Sequence, residues 1–345
     1  MKILILYYEL AYYNLPCFKE LSKNNEIFLV KYEVNTEEAP FKFNFDFPIK
    51  LYDANLLSYK DLLCIYSEIC PDIIFCAGWV NKDYLRLCSE NTNQINILGF
   101  DTTWENNISQ YLKAFLYKLK YRNVFNYAFV PGIKQFELAQ KMGFRKNKIK
   151  LGAYSCDFNY FKKLGDNYNK LKKNNNPKRF LFVGRYIKRK GILDLWNSFV
   201  QLNNEVSNNW ELWCVGTGPL YENRIVHPKI KHFGFLQPSE IKLLIKDTSV
   251  FILPSHFEPW GVVVHEFASA GFPLILSDKI SSSTSFLDNN VNGFMFQSKS
   301  IPSLKNALKK MIRINDDNLY KMGQISVKLA STITPEKWAK QILDD

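Results

Sequence analysis

The stretch LPSHFEPWGVVVHEFASAGFPLILSD, residues 253–278, reads as strand end, loop, helix and strand in one short run. Its flanks, VFILPS (250–255) and PLILSD (273–278), are brief apolar runs bounded by loop residues, the pattern of strands buried on both faces of a parallel sheet. Between them VVVHEFASAG has the length and apolar density of the buried crossover helix that parallel strands require. The loop before it holds Glu258, Pro259, Trp260 and Gly261. Pro, Trp and Gly set a turn and open the helix, so the amides of Gly261, Val262 and Val263 point at an incoming anion. A phosphate fits that seat. Glu266 lies within the apolar helix, where a carboxylate is costly unless something donates to it, and two ligand hydroxyls, as on a ribose, would do so. Glu258, at the rim of the same pocket, would accept hydrogen bonds from a sugar. A plainer reading stays open for both: Glu258 complements the helix dipole and Glu266 pairs with a basic residue.

The same alternation of apolar strand and helical segment runs through both halves of the chain. In the second half the strands read 179–184, 212–216, the segment KHFGF, 250–255 and 273–278, with ILDLWNSFVQL and SEIKLLIKD helical between them. The first half offers strands at 2–8, 27–32, 72–76, 95–100 and 127–130. A length of 345 residues allows about two domains of ordinary size. The fold expected is therefore α/β, two Rossmann-like parallel-sheet domains with a ligand in the cleft between them. NYNKLKKNNNPKR, polar and without apolar period, places an interdomain linker at 161–178, between a first domain at 1–160 and a second at 179–325. No internal repeat is evident.

A hydrophobic content of 47% with 23% charged residues excludes a disordered or collagen-like chain. No apolar run approaches the roughly 18 residues of a membrane span. The start, MKILILYYEL, reads as a first strand rather than a signal peptide, because Glu9 follows at once and no small-residue cleavage site appears. Seven scattered cysteines, with no CxxC pair and no metal spacing to the four histidines, fit reduced thiols in a cytoplasm and no bound metal.

The net charge of +12 is concentrated: residues 161–191 hold eleven lysines and arginines against one acid, Asp166. The partners this implies are local anions, phosphates or an acidic membrane face, and not nucleic acid. Within that run FLFVGRYIKRKGILDL (180–195) ends a strand at Gly184, followed by Arg185, and sets Lys190 and Gly191 before the next helix. Arginine offers a planar fork and lysine a point charge to phosphate oxygens. The alternative is a solvated turn, against which stand the glycines bracketing the run. CVGTGPL (214–220) places Gly216 and Gly218 after a strand, without the third glycine of a dinucleotide fingerprint.

With these motifs in place, the second half resembles the nucleotide-sugar-binding domain of retaining glycosyltransferases of family 4, which have the GT-B fold. The resemblance rests on FVGRYIKRKG, VGTGP, HFGFL, the 253–278 stretch with its E-x7-E spacing of Glu258 and Glu266, and NGFMF after it. It is looser in the first half, where YAFVPGIKQFELAQKMGF and GAYSCD resemble the lead into the crossover. The terminal TPEKWAKQIL, within 326–345, resembles the helix that in this family returns to the first domain. Residue by residue, the resemblance implies that Arg185 and Lys190 hold the donor diphosphate, with Gly184, Gly216 and Gly218 also in the donor site. Glu266 would bind the ribose hydroxyls and Glu258 the donor sugar, with Trp260, Gly261 and Val262 around the leaving phosphate. Two departures matter: YYELAYYNLP (7–16) replaces a glycine-rich loop, and GFDTTWEN (99–106) stands where many members have a histidine. Tyr12, Tyr13, Asp101, Thr103 and Trp104 are then the acceptor-side candidates, with Asp101 a candidate catalytic group or, alternatively, a helix N-cap.

The resemblance implies a retaining transferase that moves a sugar from a UDP- or GDP-type nucleotide-diphosphate sugar to a saccharide or lipid-linked acceptor of surface polysaccharide, lipopolysaccharide or glycolipid. Arg185, Lys190 and the helix amides would neutralise the leaving diphosphate. The chain has no DxD motif, so the expected chemistry is metal-independent and without a cofactor. A GT-B nucleotide-sugar epimerase is the enzyme alternative, and a basic nucleic-acid-binding protein the non-enzyme one. YLKAFLYKLKYR (111–122) sets Leu112, Phe115, Leu116 and Leu119 on one helical face flanked by Lys113, Lys118, Lys120 and Arg122. Such a helix either packs its stripe on the first sheet or lies in an anionic membrane surface, which would make the protein peripheral on the cytoplasmic face.

Overall fold

In a computed structural model the described residues are 1–32, 43–173 and 175–344. They form two units, Met1–Cys156 with Ile333–Asp345, and Asp157–Thr332, each built on one parallel sheet. The two Rossmann-like parallel-sheet domains read from the sequence are present.

The first unit contains β1 (Lys2–Tyr7), β2 (Glu26–Lys31), β3 (Lys50–Asp53), β4 (Ile73–Ala77), β5 (Ile95–Gly99), β6 (Tyr127–Val130) and β7 (Ile149–Leu151), ordered β3-β2-β1-β4-β5-β6-β7. Its helices are α1 (Asn14–Ser22), α2 (Tyr59–Ile69), α3 (Lys82–Glu90), α4 (Ile108–Tyr121) and α5 (Ile133–Lys141). Alternate residues of β1 feed two apolar layers, Leu4 and Leu6 on one face of the sheet, Ile3, Ile5 and Tyr7 on the other. That double burial is why the central strands are continuous apolar runs.

The second unit contains β8 (Arg179–Val183), β9 (Glu211–Val215), β10 (Ile230–His232), β11 (Val250–Leu253), β12 (Leu274–Ser277) and β13 (Gly293–Phe296), ordered β10-β9-β8-β11-β12-β13. Around it run α6 (Phe158–Lys172), α7 (Ile192–Glu205), α8 (Pro238–Asp247), α9 (Val262–Ser269), α10 (Ser283–Phe286), α11 (Ile301–Met311) and α12 (Asp316–Ala330). The last helix, α13 (Pro335–Leu343), belongs to the first unit. Its Trp338 is buried among Phe18, Phe75 and Phe129, with ring centroids 5.8–5.9 Å apart, and donates its indole N–H to the Ala153 carbonyl at 2.8 Å.

Three strands that the sequence reading did not name, β3, β7 and β13, all lie at sheet edges. An edge strand is short and half-paired, so it lacks the long apolar run that marks a central one. The stretch 161–178 also differs from the linker expected there, since most of it is α6, within the second unit; Asn174 lies outside the described residues. Its packed face sets apolar residues at helical spacing, Phe158, Phe161, Leu164 and Tyr168, among polar docking contacts. Phe158 and Phe161 are buried, but beyond them a Cβ at Gly165 would stand 2.3 Å from the Ala270 carbonyl oxygen. Asn169 Nδ2 donates to that same carbonyl at 3.1 Å, and Lys172 Nζ donates to the carbonyls of Ile245 at 2.5 Å and Thr248 at 2.7 Å. Burial pushes the Lys172 ammonium down to about 7. Gly165, Asn169 and Lys172 thus complete the docking of a helix whose apolar residues begin at Phe158, ahead of the polar stretch. Among the described residues no helix is long and apolar enough to cross a membrane.

Trp338→Ala removes the centre of an aromatic cluster and one buried hydrogen bond. Urea unfolding of this variant should show a loss of about 3–5 kcal/mol for the first unit, against less than about 0.5 kcal/mol for a control change at exposed Lys337.

Candidate functional site

The chain passes from β8 to β9 and β10 on one side and returns to β11 on the other, so β8 and β11 flank the point where strand order reverses. Open parallel sheets bind ligands outside the carboxyl ends of strands at such a point. The residues singled out after β8 and after β11 meet there. Lys190 Nζ forms an ion pair with Glu258 Oε2 at 2.5 Å, both side chains largely buried. Ser255 Oγ donates to the same oxygen at 3.2 Å. Glu258 therefore sits inside the loop rather than at its rim, held by a cation and a hydroxyl. Arg185, half-buried, follows Gly184 at the end of β8.

Backbone contacts fix this geometry. Gly191 adopts φ +67°, and a Cβ there would stand 2.1 Å from the Pro254 carbonyl oxygen, so only glycine lets the loop after β8 lie against the loop after β11. His256 reinforces the junction: its amide donates to the Arg189 carbonyl at 2.8 Å and its Nε2 lies 2.7 Å from Asp194 Oδ2. Gly216 closes the other side, where a Cβ would stand 2.0 Å from the Gly184 carbonyl oxygen. Gly218 lies beside the Tyr186 backbone. Glu258 pairs with Ile280 as a parallel bridge through Glu258 N to the Lys279 carbonyl, 3.0 Å, and Ser281 N to the Glu258 carbonyl, 3.1 Å. Ser282 then donates through its amide to the Trp260 carbonyl, 3.2 Å. The Trp260 ring is buried beneath the loop against Phe286, so its bulk positions the turn.

Gly261 is the N-cap of α9, with φ +90°, and the amides of Val262 and Val263 open the helix. One turn further on is Glu266. Burial pushes its carboxyl up to about 7, and no described cation or donor offsets that cost. The basic partner that the plainer reading required is absent among the described residues. A half-buried carboxylate one turn from a helix N-terminus, without a partner, has the chemistry to receive ligand hydroxyls while the amides receive an anion.

The acceptor-side candidates separate in the first unit. Asp101, just past the end of β5, hydrogen-bonds the Tyr154 side chain and acts electrostatically on Tyr7 and Tyr13. Burial first, then these neighbours, hold all three phenols above their ordinary range. The Tyr13 and Tyr154 rings are 5.4 Å apart, and Asn14 Nδ2 donates to the Tyr7 hydroxyl at 2.8 Å. Asn107, not Asp101, caps α4, so the N-cap alternative for Asp101 does not hold. Tyr12 is exposed beside Phe43. Thr103 is buried and Trp104 packs edge-on against Tyr111 at 4.7 Å, in the apolar layer on the other face of the sheet from Tyr7. Tyr7, Tyr154, Ser255, His256 and Asp194 escaped the sequence reading. Only SHFEP, with polar residues crowded before Glu258, carried a signal for any of them.

Residues 166–325 match the family model described as Glycosyl transferases group 1. An uncharacterised glycosyltransferase of Methanocaldococcus jannaschii is 28% identical over 137 residues, 37% of this chain and 34% of that protein. The lipopolysaccharide 1,6-galactosyltransferase of Escherichia coli K12 is 28% identical over 144 residues, 39% of each chain. The aligned part thus spans little more than a third of these relatives' own length. Among solved structures, a glycosyltransferase from Rickettsia africae superposes with a TM-score of 0.73 at 16% identity, covering 100% of this chain and 99% of that one. HepE of Anabaena, in complex with UDP and glucose, gives 0.71 at 14% identity, with 100% and 98% covered. The shared architecture is the GT-B fold of two Rossmann-like domains.

Two measurements probe the site. Because the Glu266 carboxyl has a folded pKa near 7 against an unfolded value near 4.5, the folded protein binds its proton more tightly, and the group's contribution to stability falls as pH rises between those values. Glu266→Gln should therefore match the wild type near pH 4 and melt higher at pH 8, by up to roughly 3 kcal/mol. Lys190→Met leaves the Glu258 carboxylate buried without its cation and should lose about 3 kcal/mol in chemical unfolding, part of which returns when Glu258→Gln is added.

Proposed function

We propose that the protein is a retaining, metal-independent glycosyltransferase that uses a nucleotide-diphosphate sugar, of UDP or GDP type, as donor. The observation that carries this reading is the Glu266 carboxylate one turn inside α9, without a partner among the described residues, with the helix amides and the Lys190–Glu258 pair in the same stretch. Ribose hydroxyls donate to Glu266. The diphosphate lies against the opening amides of α9 and the cations Arg185 and Lys190. Lys190 has three N–H donors and Glu258 takes one of them, so the ammonium can hold the carboxylate and a phosphate oxygen together. Glu258, fixed by Lys190 and Ser255, accepts from donor-sugar hydroxyls.

As the glycosidic bond to phosphate breaks, negative charge grows on the leaving diphosphate, where these cations and amides already point; no metal ion is called for. Retention of anomeric configuration follows from the family-4 resemblance. The acceptor is a saccharide or lipid-linked saccharide of surface polysaccharide, lipopolysaccharide or glycolipid, met in the first unit by Asp101, Tyr13 and Tyr154. The match to a lipopolysaccharide galactosyltransferase supports that class, as does 32% identity over 81 residues to an Escherichia coli transferase that moves galactose to a GlcNAc-diphosphoundecaprenol. Seven free cysteines support a reducing, cytoplasmic setting.

The test is a thermal-shift panel of UDP, GDP, ADP and CMP with EDTA present, on wild type and Glu266→Ala. At about a hundred times its Kd a nucleotide adds roughly 2.7 kcal/mol and moves the midpoint by several degrees. The expected result is a shift with UDP or GDP that Glu266→Ala abolishes. A shift unaffected by Glu266→Ala would remove the site assignment, and no shift with any nucleotide would remove the donor reading.

A further inference from the structure

Helix α4 has two apolar faces. Its inner side is Ala114, buried, with Tyr117 and Tyr121 half-buried against the core. On the outer side Ile108, Leu112, Phe115, Leu116 and Leu119 are between 54% and 88% exposed. At 3.6 residues per turn these five occupy an arc of roughly 100°, turned away from the sheet. The stripe that the sequence left free to pack inward therefore faces solvent. Surface hydrophobics scattered singly need no explanation, but five large ones on one helical face mark a docking surface.

Charge decides what docks. Lys113 and Lys120 border the stripe on one side, Lys118 and Arg122 on the other, all exposed, and α4 contains no acid. A second copy of the chain meeting this face about a two-fold axis would set each basic border against its own like, with no carboxylate on the helix to pair them. An anionic lipid surface complements both features at once. It takes the apolar residues below the headgroups and the lysines among the phosphates, their stems lying along the interface. The Lys118 stem is laid over Gly143, where a Cβ would stand 3.0 Å from Lys118 Cγ, which keeps its ammonium at the border of the stripe. At the start of the helix Tyr111 and Trp104 stack edge-to-face, with Lys141 Nζ 5.6 Å from the Tyr111 ring, an aromatic and basic pairing of the kind that settles at headgroup depth.

We propose that α4 is a membrane-docking helix, which seats its outer face in an anionic bilayer surface and anchors the protein peripherally through the first unit. The inference is independent of the nucleotide site.

Co-sedimentation of the full chain with phosphatidylcholine vesicles, with and without about one-third phosphatidylglycerol, tests it directly. The wild type should partition onto anionic vesicles and scarcely onto neutral ones, and about 1 M NaCl should weaken the binding as screening shortens to roughly 3 Å. Leu112→Ser with Leu116→Ser should lower the partition coefficient at least about tenfold, since each leucine withdraws buried apolar area. Lys113→Glu with Lys120→Glu should lower it by a comparable factor. All four positions are exposed, so melting midpoints and the nucleotide shift should match the wild type; a lost nucleotide shift with vesicle binding kept would count against the donor site alone. The proposal falls if wild type ignores anionic vesicles, or if the leucine variant binds them as well as wild type. It also falls if sedimentation velocity finds a dimer that the same leucine changes dissolve, because a second copy is then the occupant.

Discussion

Backbone lies directly against backbone at the carboxyl edge of the second sheet, and the placement of Lys190 against Glu258 depends on that contact. With no room for a Cβ at Gly191 or Gly216, the loops after β8, β9 and β11 approach to a separation that side chains would prevent. Lys190 immediately precedes one of these close points, so its backbone is held where its side chain reaches Glu258. His256 with Asp194, and the bridge from Glu258 to Ile280, tie the same loops from the other sides. Preorganisation of this kind is what an electrostatic site requires, because charges that are already placed cost no reorganisation when a ligand arrives.

The two carboxylates of the 253–278 stretch meet opposite conditions. Glu258 is buried but paired, and its charge is offset inside the protein. Glu266 is desolvated, and among the described residues no cation or donor offsets its charge. A protein maintains such an uncompensated group at some cost to stability, and sites of this sort are where function is found. Lys172, also desolvated, shows the structural alternative: two carbonyls accept from it, and its role is to pin α6 to the rest of the unit.

In the first unit, too, packing redistributes what the chain order suggests. Residues 101–104 are consecutive, yet Asp101 joins the tyrosines near the end of β1 while Trp104 turns to the opposite apolar layer. Trp338, far away in sequence, completes the layer beneath Tyr7 through Phe18, Phe75 and Phe129. Helix α4 keeps Ala114, Tyr117 and Tyr121 inward and its more apolar face outward, an inversion that hydrophobicity alone does not anticipate.

Local sequence determined the parallel-sheet class, the central strands, the glycine-bracketed loops and the identity of the charged residues after β8 and β11. Each of these rests on short-range physics: apolar runs buried on two faces, glycines where a backbone must turn or approach, carboxylates placed where they are costly. Tertiary structure alone decided which face of α4 is exposed, that 158–172 is a docked helix, that Glu258 is paired while Glu266 is not, and that Tyr154 stands beside Asp101. Those outcomes depend on partners a hundred or more residues away in several cases, such as Ala270 against Asn169. Burial and pairing are properties of neighbours in space, and the spacing of residues along the chain carries no term for them.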